Sequence, residues 1–135
     1  MPELNALATK WFDSGLRYSD VVHFIHVNVI EPHPSDPDPS PYFGEVRPNE
    51  NSRPQPRTYD ERVFLAAAMA TAVEGAQTLL VDDLTPGSRN NPLWCTYGPA
   101  PNSAYLIDRN GVFRVVQQWV DTPALEAAID QLLGS

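Results

Sequence analysis

With 135 residues, 42% of them apolar and 19% charged, the chain has the composition of one globular domain, residues 1–135, long enough to bury roughly two-thirds of its unfolded surface. A net charge of −8, spread over scattered acidic residues, argues against nucleic acid and anionic membrane as partners, since both need a basic patch. The single cysteine, Cys95, excludes an intrachain disulfide, and the apolar run Val63 to Ala70 falls well short of the roughly 20 residues of a membrane span.

Met1-Pro2-Glu3-Leu4 lacks the basic and apolar regions of a signal peptide, so a reducing, cytoplasmic setting is the expectation. Leu4, Leu7, Ala8, Trp11 and Phe12 recur at helical spacing and Gly15 follows as a stop, which predicts an amphipathic helix over residues 2–14. Val21 to Ile30, β-branched and aromatic, reads as a largely buried strand bounded by Asp20 and Pro32. Eight of the 14 prolines then fall between Pro32 and Pro56. Proline removes amide donors and forbids helix, so residues 32–56 are expected to form a long loop insertion.

Thr58 and Glu61 make a capping box ahead of a helix that runs to about Glu74, with Gly75 as its C-cap. Thr78 to Val81 is a short strand leaving through Asp82-Asp83. Residues 84–102 read as loop, with one turn of helix around Leu93 to Thr96. Ala104 to Ile107 and Val112 to Gln118 are strands joined by Asp108-Arg109-Asn110-Gly111, a hairpin signature. Thr122 caps a last helix with Pro123 at its first position and Leu125, Ile129, Leu132 and Leu133 on its apolar face. Helices alternating with strands, and a hairpin at the end, predict an α/β domain with a mixed sheet flanked by helices.

The segment Val27-Asn28-Val29-Ile30-Glu31-Pro32-His33-Pro34-Ser35-Asp36 carries the chemistry. In a strand, residues i and i+2 share a side, so Glu31 and His33 are expected to converge beyond a strand's carboxyl end, where α/β sheets collect their ligands. An imidazole, with an ordinary pKa of about 6.5, can donate a proton at neutral pH, and a neighbouring carboxylate orients the ring.

This Glu31-Pro32-His33-Pro34-Ser35-Asp36 stretch resembles the E-x-H-P-S-D motif of the iodothyronine deiodinases and their bacterial relatives. Leu7-Ala8-Thr9-Lys10-Trp11, Gln55 to Val63, and Tyr97-Gly98-Pro99-Ala100-Pro101 with the strand Tyr105-Leu106-Ile107-Asp108 resemble further stretches of that family. The resemblance implies a thioredoxin-like fold and reduction by a selenocysteine or cysteine nucleophile, with Glu31 and His33 assisting proton delivery. It implies an external thiol as reductant and no bound cofactor. Pro56 stands where the family carries a second loop histidine, and Asn28 where it often carries a tyrosine.

In that family the nucleophile sits at a turn between the first strand and the first helix, which here falls upstream of Met1. The first strand of the sheet is therefore expected to be missing. A misassigned start, a real truncation that rearranges the sheet, or a partner that donates the strand would each account for this, the first being preferred. The expected substrate is a halogenated small molecule, a peroxide or a protein disulfide, and a second copy or strand-donating chain is the expected macromolecular partner. The competing reading is a non-catalytic thioredoxin-like module that binds a protein partner through its exposed sheet edge and Pro-rich loop.

The remaining candidates read as structural. His23 and His26, three apart in a strand, face opposite sides and match no zinc pattern, so no metal site is expected. Cys95 reads as a small buried or half-buried hydrophobe, Asp82-Asp83 as a polar strand exit, and Trp11, Trp94 and Trp119 as packing residues.

Overall fold

The computed structural model describes residues 2–13, 15–36, 52–72, 77–85, 91–97 and 102–134. Along the chain run α1 (Pro2–Thr9), β1 (Trp11–Asp13), β2 (Leu16–Arg17), α2 (Tyr18–Val21), β3 (Phe24–Asn28), α3 (Tyr59–Ala72), β4 (Gln77–Val81), α4 (Pro92–Tyr97), β5 (Ala104–Ile107), β6 (Phe113–Gln117) and α5 (Thr122–Leu133). The class is mixed α/β, as the alternation predicts. Among the described residues the strands pair as β1–β2, β3–β4 and β5–β6, three two-stranded sheets in place of one continuous sheet.

The helix expected over residues 2–14 ends at Thr9. The Thr9 hydroxyl donates to the Asn5 carbonyl at 2.9 Å, and the Lys10 N–H turns back to the Leu7 carbonyl at 3.1 Å, which tightens the last turn. Trp11 and Phe12 continue the helical spacing, but aromatic residues also favour extended backbone. They form β1 and pair antiparallel with β2, Trp11 opposite Arg17. Gly15 belongs to the intervening turn, at φ +98°, a conformation that costs glycine little. This hairpin brings the Phe12 ring to 5.6 Å from that of Tyr18, while Trp11 is left exposed beneath the Arg17 guanidinium. Trp119 is exposed too, so of the three tryptophans only Trp94 is even half-buried.

Leu7 of α1, Tyr18 of α2, Leu106 of β5, and Leu125 and Ile129 of α5 make one buried cluster, with Phe24, Ala104 and Val115 packed against it. Full burial of each such aliphatic side chain contributes about 1.5–3 kcal/mol, so this cluster ties the N-terminal helix to the C-terminal hairpin. The hairpin between β5 and β6 forms as read. Asp108 Oδ1 accepts from the Asn110 and Val112 amides at 2.8 and 3.0 Å, and Gly111 takes φ +79°. The register slips after Leu106, so that Ile107 faces Phe113.

The cap of α5 is Asp121, one residue before the expected Thr122. Its carboxylate accepts from the Ala124 N–H at 3.1 Å, and Pro123 follows inside the first turn. Gln117 holds that cap in place, accepting the Asp121 N–H at 2.9 Å and donating to the Asp121 carbonyl at 3.2 Å.

β3 and β4 are parallel, in register from Phe24 opposite Gln77 to Asn28 opposite Val81. Parallel neighbours need a crossover, and the segment between them contains α3. The Thr58–Glu61 capping box is present, with Glu61 N–H to Thr58 Oγ1 and Thr58 N–H to Glu61 Oε2 both at 3.2 Å. The expected C-cap at Gly75 lies outside the described residues. The inner face of α3 carries Arg62 and Ala66, both buried, and Met69, whose sulfur lies 3.3 Å from the Asn28 amide nitrogen. Phe64 from the apolar run is instead 74% exposed.

Candidate site at the carboxyl ends of the parallel strands

Because β3 and β4 run the same way, Asn28 and Val81 end at the same edge, and the segments leaving them meet there. The Asp82 N–H donates to the Asn28 carbonyl at 2.8 Å, carrying the ladder one residue beyond β4. The strand expected to reach Ile30 stops at Asn28. Glu31 and His33 therefore lie outside the ladder, and strand alternation does not set their directions. Pro32 and Pro34 bring no amide donors that could extend it.

Glu31 and His33 are nonetheless brought together, through the backbone. Glu31 Oε1 accepts from the His33 N–H at 3.1 Å, so the carboxylate folds back over its own loop. Both side chains are half-buried. The far end of the proline-rich stretch returns to grip this loop. Gln55 Oε1 accepts the Glu31 N–H at 2.9 Å and Gln55 Nε2 donates to the Glu31 carbonyl at 3.0 Å. The Ser35 N–H donates to the Arg53 carbonyl at 2.9 Å and the Gln55 N–H to Asp36 Oδ1 at 3.1 Å, while Arg57 lies 3.7 Å from Asp36 Oδ2. Residues 31–36 and 53–57 thus form two arms held side by side, with Pro34 and Pro56 buried between more exposed neighbours.

Beside the second arm, Asp36, Pro54 to Arg57, and Asp60, Glu61, Phe64 and Leu65 of α3 line an open cleft of about 500 Å³. Glu31 and His33 are not among its lining residues. Another hollow, of about 430 Å³, lies at Trp11, Phe12, Asp13 and Gly15 of the N-terminal hairpin and brings no acid–base pair.

Beneath the site, Arg62 and Asp82 are each only 1% exposed. Arg62 Nη1 donates to the Asp82 carbonyl at 3.1 Å and Nη2 to Asn91 Oδ1 at 2.6 Å. Burial pushes the Arg62 pKa down from its ordinary value, and the charges of Asp82 and Asp83 act in the opposite direction. The Asp82 carboxylate accepts from the amides of Asp83, Leu93 and Trp94 at 2.9, 3.0 and 3.1 Å, which anchors the first turn of α4. Asp82, at this polar strand exit, is thus a buried hub.

Cys95 is exposed on α4, a correction to its reading as a buried or half-buried hydrophobe. It follows Leu93 and Trp94, whose amides are drawn to Asp82 and whose half-buried side chains occupy the inner side of this short helix. His23 is exposed ahead of β3, and His26 is half-buried within it, its pKa lowered by burial. Among the described residues no three His, Cys, Asp or Glu side chains gather as metal ligands, and no helix is long and apolar enough to cross a membrane.

Sequence reasoning gave Gln55 and Arg62 no role of their own, and read Asp82 only as part of a polar strand exit. Gln55 had one usable signal. Flanking prolines at 54 and 56 hold the backbone extended, which leaves its amide available to a neighbouring strand-like segment. Arg62 had none, because an arginine in the first turn of a helix normally points to water. Comparison with protein-family models, with curated proteins and with solved structures gives no match for this chain.

Proposed function

We propose that this chain forms the proton-transfer half of a deiodinase-like oxidoreductase of thioredoxin-like fold. In this reading a cysteine or selenocysteine at a strand–turn ahead of α1 is the nucleophile, and an external thiol regenerates it. The thiolate or selenolate takes the halogen from an aromatic carbon, and that carbon receives a proton from the His33 imidazole. A second thiol then displaces halide from the sulfur or selenium, forming a disulfide or selenenyl sulfide that further thiol reduces. Glu31 orients His33 and balances the charge of its protonated ring.

The observation that carries this reading is the Glu31–Pro32–His33 loop at the shared carboxyl edge of the parallel β3–β4 pair, its carboxylate bonded to the His33 amide at 3.1 Å. It is joined by the sequence resemblance around residues 31–36. The test is thiol-dependent reduction of an iodinated phenol by the chain with and without an upstream extension that carries Cys. Activity that appears only with the extension, and falls at least tenfold in His33→Gln, supports the reading. An extended chain that folds and reduces neither iodophenol, peroxide nor protein disulfide removes it.

One observation favours the non-catalytic alternative. Ile25 and Leu80, on the β3–β4 sheet, are 58% and 46% exposed. A stable complex recovered on an immobilised chain, lost in Ile25→Asp, together with inactivity of the extended form, would establish a binding module instead.

A further inference from the structure

We infer that Gln55 is a positioning residue for the Glu31–His33 pair, an inference that rests on the reading of those two residues as the proton-transfer groups. A loop with prolines at 32 and 34 lacks the amides to hold itself by a regular ladder. Glu31 supplies both a donor and an acceptor between β3 and those prolines, and the Gln55 side-chain amide satisfies both at once, at 2.9 and 3.0 Å. A primary amide presents its donor and acceptor side by side, the arrangement that a neighbouring strand would offer. Gln55 itself is pinned from the other side, its own N–H donating to Asp36 Oδ1 at 3.1 Å. The consequence falls on the next two residues. With the Glu31 backbone fixed, its carboxylate is held where it accepts the His33 N–H, so the direction of His33 depends on a side chain 24 residues beyond Glu31.

The same device occurs at the end of β6, where Gln117 brackets the Asp121 backbone and so sets the cap of α5. There it starts a helix; at Gln55 it serves a loop that bears an acid and a base.

The test is Gln55→Met, close in volume and without either hydrogen bond, read by NMR on the chain as it stands. Exchange of the Glu31 amide should accelerate roughly tenfold, and the His33 ring ¹⁵N shifts at fixed pH should move, while amides of α3 and α5 keep their protection. Gln55→Glu keeps an acceptor for the Glu31 N–H and loses the donor, so Glu31 protection should recover in part. Should Q55M not fold, Q55E read by the same two signals decides the matter. Unchanged Glu31 exchange and His33 shifts would overturn the inference. A loss of protection spread evenly over the whole chain would overturn it too, since Gln55 would then be a general stabilising residue. Neither signal depends on turnover, so an inactive Cys-extended chain would remove the proposed function and leave the positioning role to be judged on its own.

Discussion

Arg62 and Asp82 lie together in the interior without their charged ends facing each other as a simple pair: the guanidinium rests on the Asp82 carbonyl, and the Asp82 carboxylate is taken by three backbone amides. One residue comes from α3 and the other from the end of β4, and Asn91, bonded to Arg62 at 2.6 Å, brings in the start of α4. Three segments therefore meet on one cation. Arg62 Nε has no hydrogen-bond partner among the described residues, which adds a desolvation cost that the other contacts offset.

Replacing Arg62 by Met removes the cation and leaves the Asp82 carbonyl, the Asn91 amide oxygen and a buried carboxylate without it. Breaking such a buried arrangement from one side costs about 3 kcal/mol. Urea denaturation should show the midpoint falling with m unchanged, and Asp82→Ala should in addition raise amide exchange at Leu93 and Trp94.

Tyr18 donates to Asp130 Oδ1 at 2.6 Å, and its hydroxyl lies 3.3 Å from Glu126 Oε1. Burial first, and the Asp130 carboxylate second, push its pKa above the ordinary 10. A raised folded value means that the stabilisation is present in full below the unfolded pKa of about 10 and declines as pH rises beyond it. Thermal unfolding followed from pH 8 to 11 should show Tm falling more steeply in the wild type than in Tyr18→Phe. At pH 7 the variant should lose about 1 kcal/mol.

Asp108 shows the opposite sign. Its bond from the Val112 amide, aided by Arg114 and the Asn110 amide, holds its carboxyl below the ordinary value. The hairpin stabilisation is therefore present above the unfolded pKa of about 3.9 and lost as pH falls through the lower folded value. Asp108→Asn should flatten the acid limb of the stability curve below pH 4, measured by circular dichroism on thermal unfolding, and should lower Tm at pH 7.

Cys95 lies exposed on α4. It should react stoichiometrically with a water-soluble disulfide reagent in the absence of denaturant, at the rate of an accessible thiol. A reaction that needs urea would contradict its placement.

Much of the local structure was legible because it rests on nearest neighbours. The Thr58–Glu61 box, the Asp108 turn and the apolar face of α5 each depend on residues no more than four positions from the next, and each formed as read. The misses came where two local answers compete. Trp11 and Phe12 satisfy a helical period and an extended propensity equally well, and the packing of Phe12 on Tyr18 favours the strand.

The mixed α/β class, the proline-broken stretch after β3 and the presence of a carboxylate and an imidazole two residues apart in it all follow from composition and local pattern. Their spacing is a property of the chain, but their arrangement is not. That Glu31 turns back to the His33 amide was decided by the end of the ladder at Asn28 and by Gln55, 24 residues on. Likewise Arg62, in a first helical turn where arginines normally face water, is buried because Asp82 and Asn91, distant in sequence, offer it oxygens. Hydrogen-bond partners that lie far apart along the chain leave no periodic trace, so only the folded structure could bring them onto the same site.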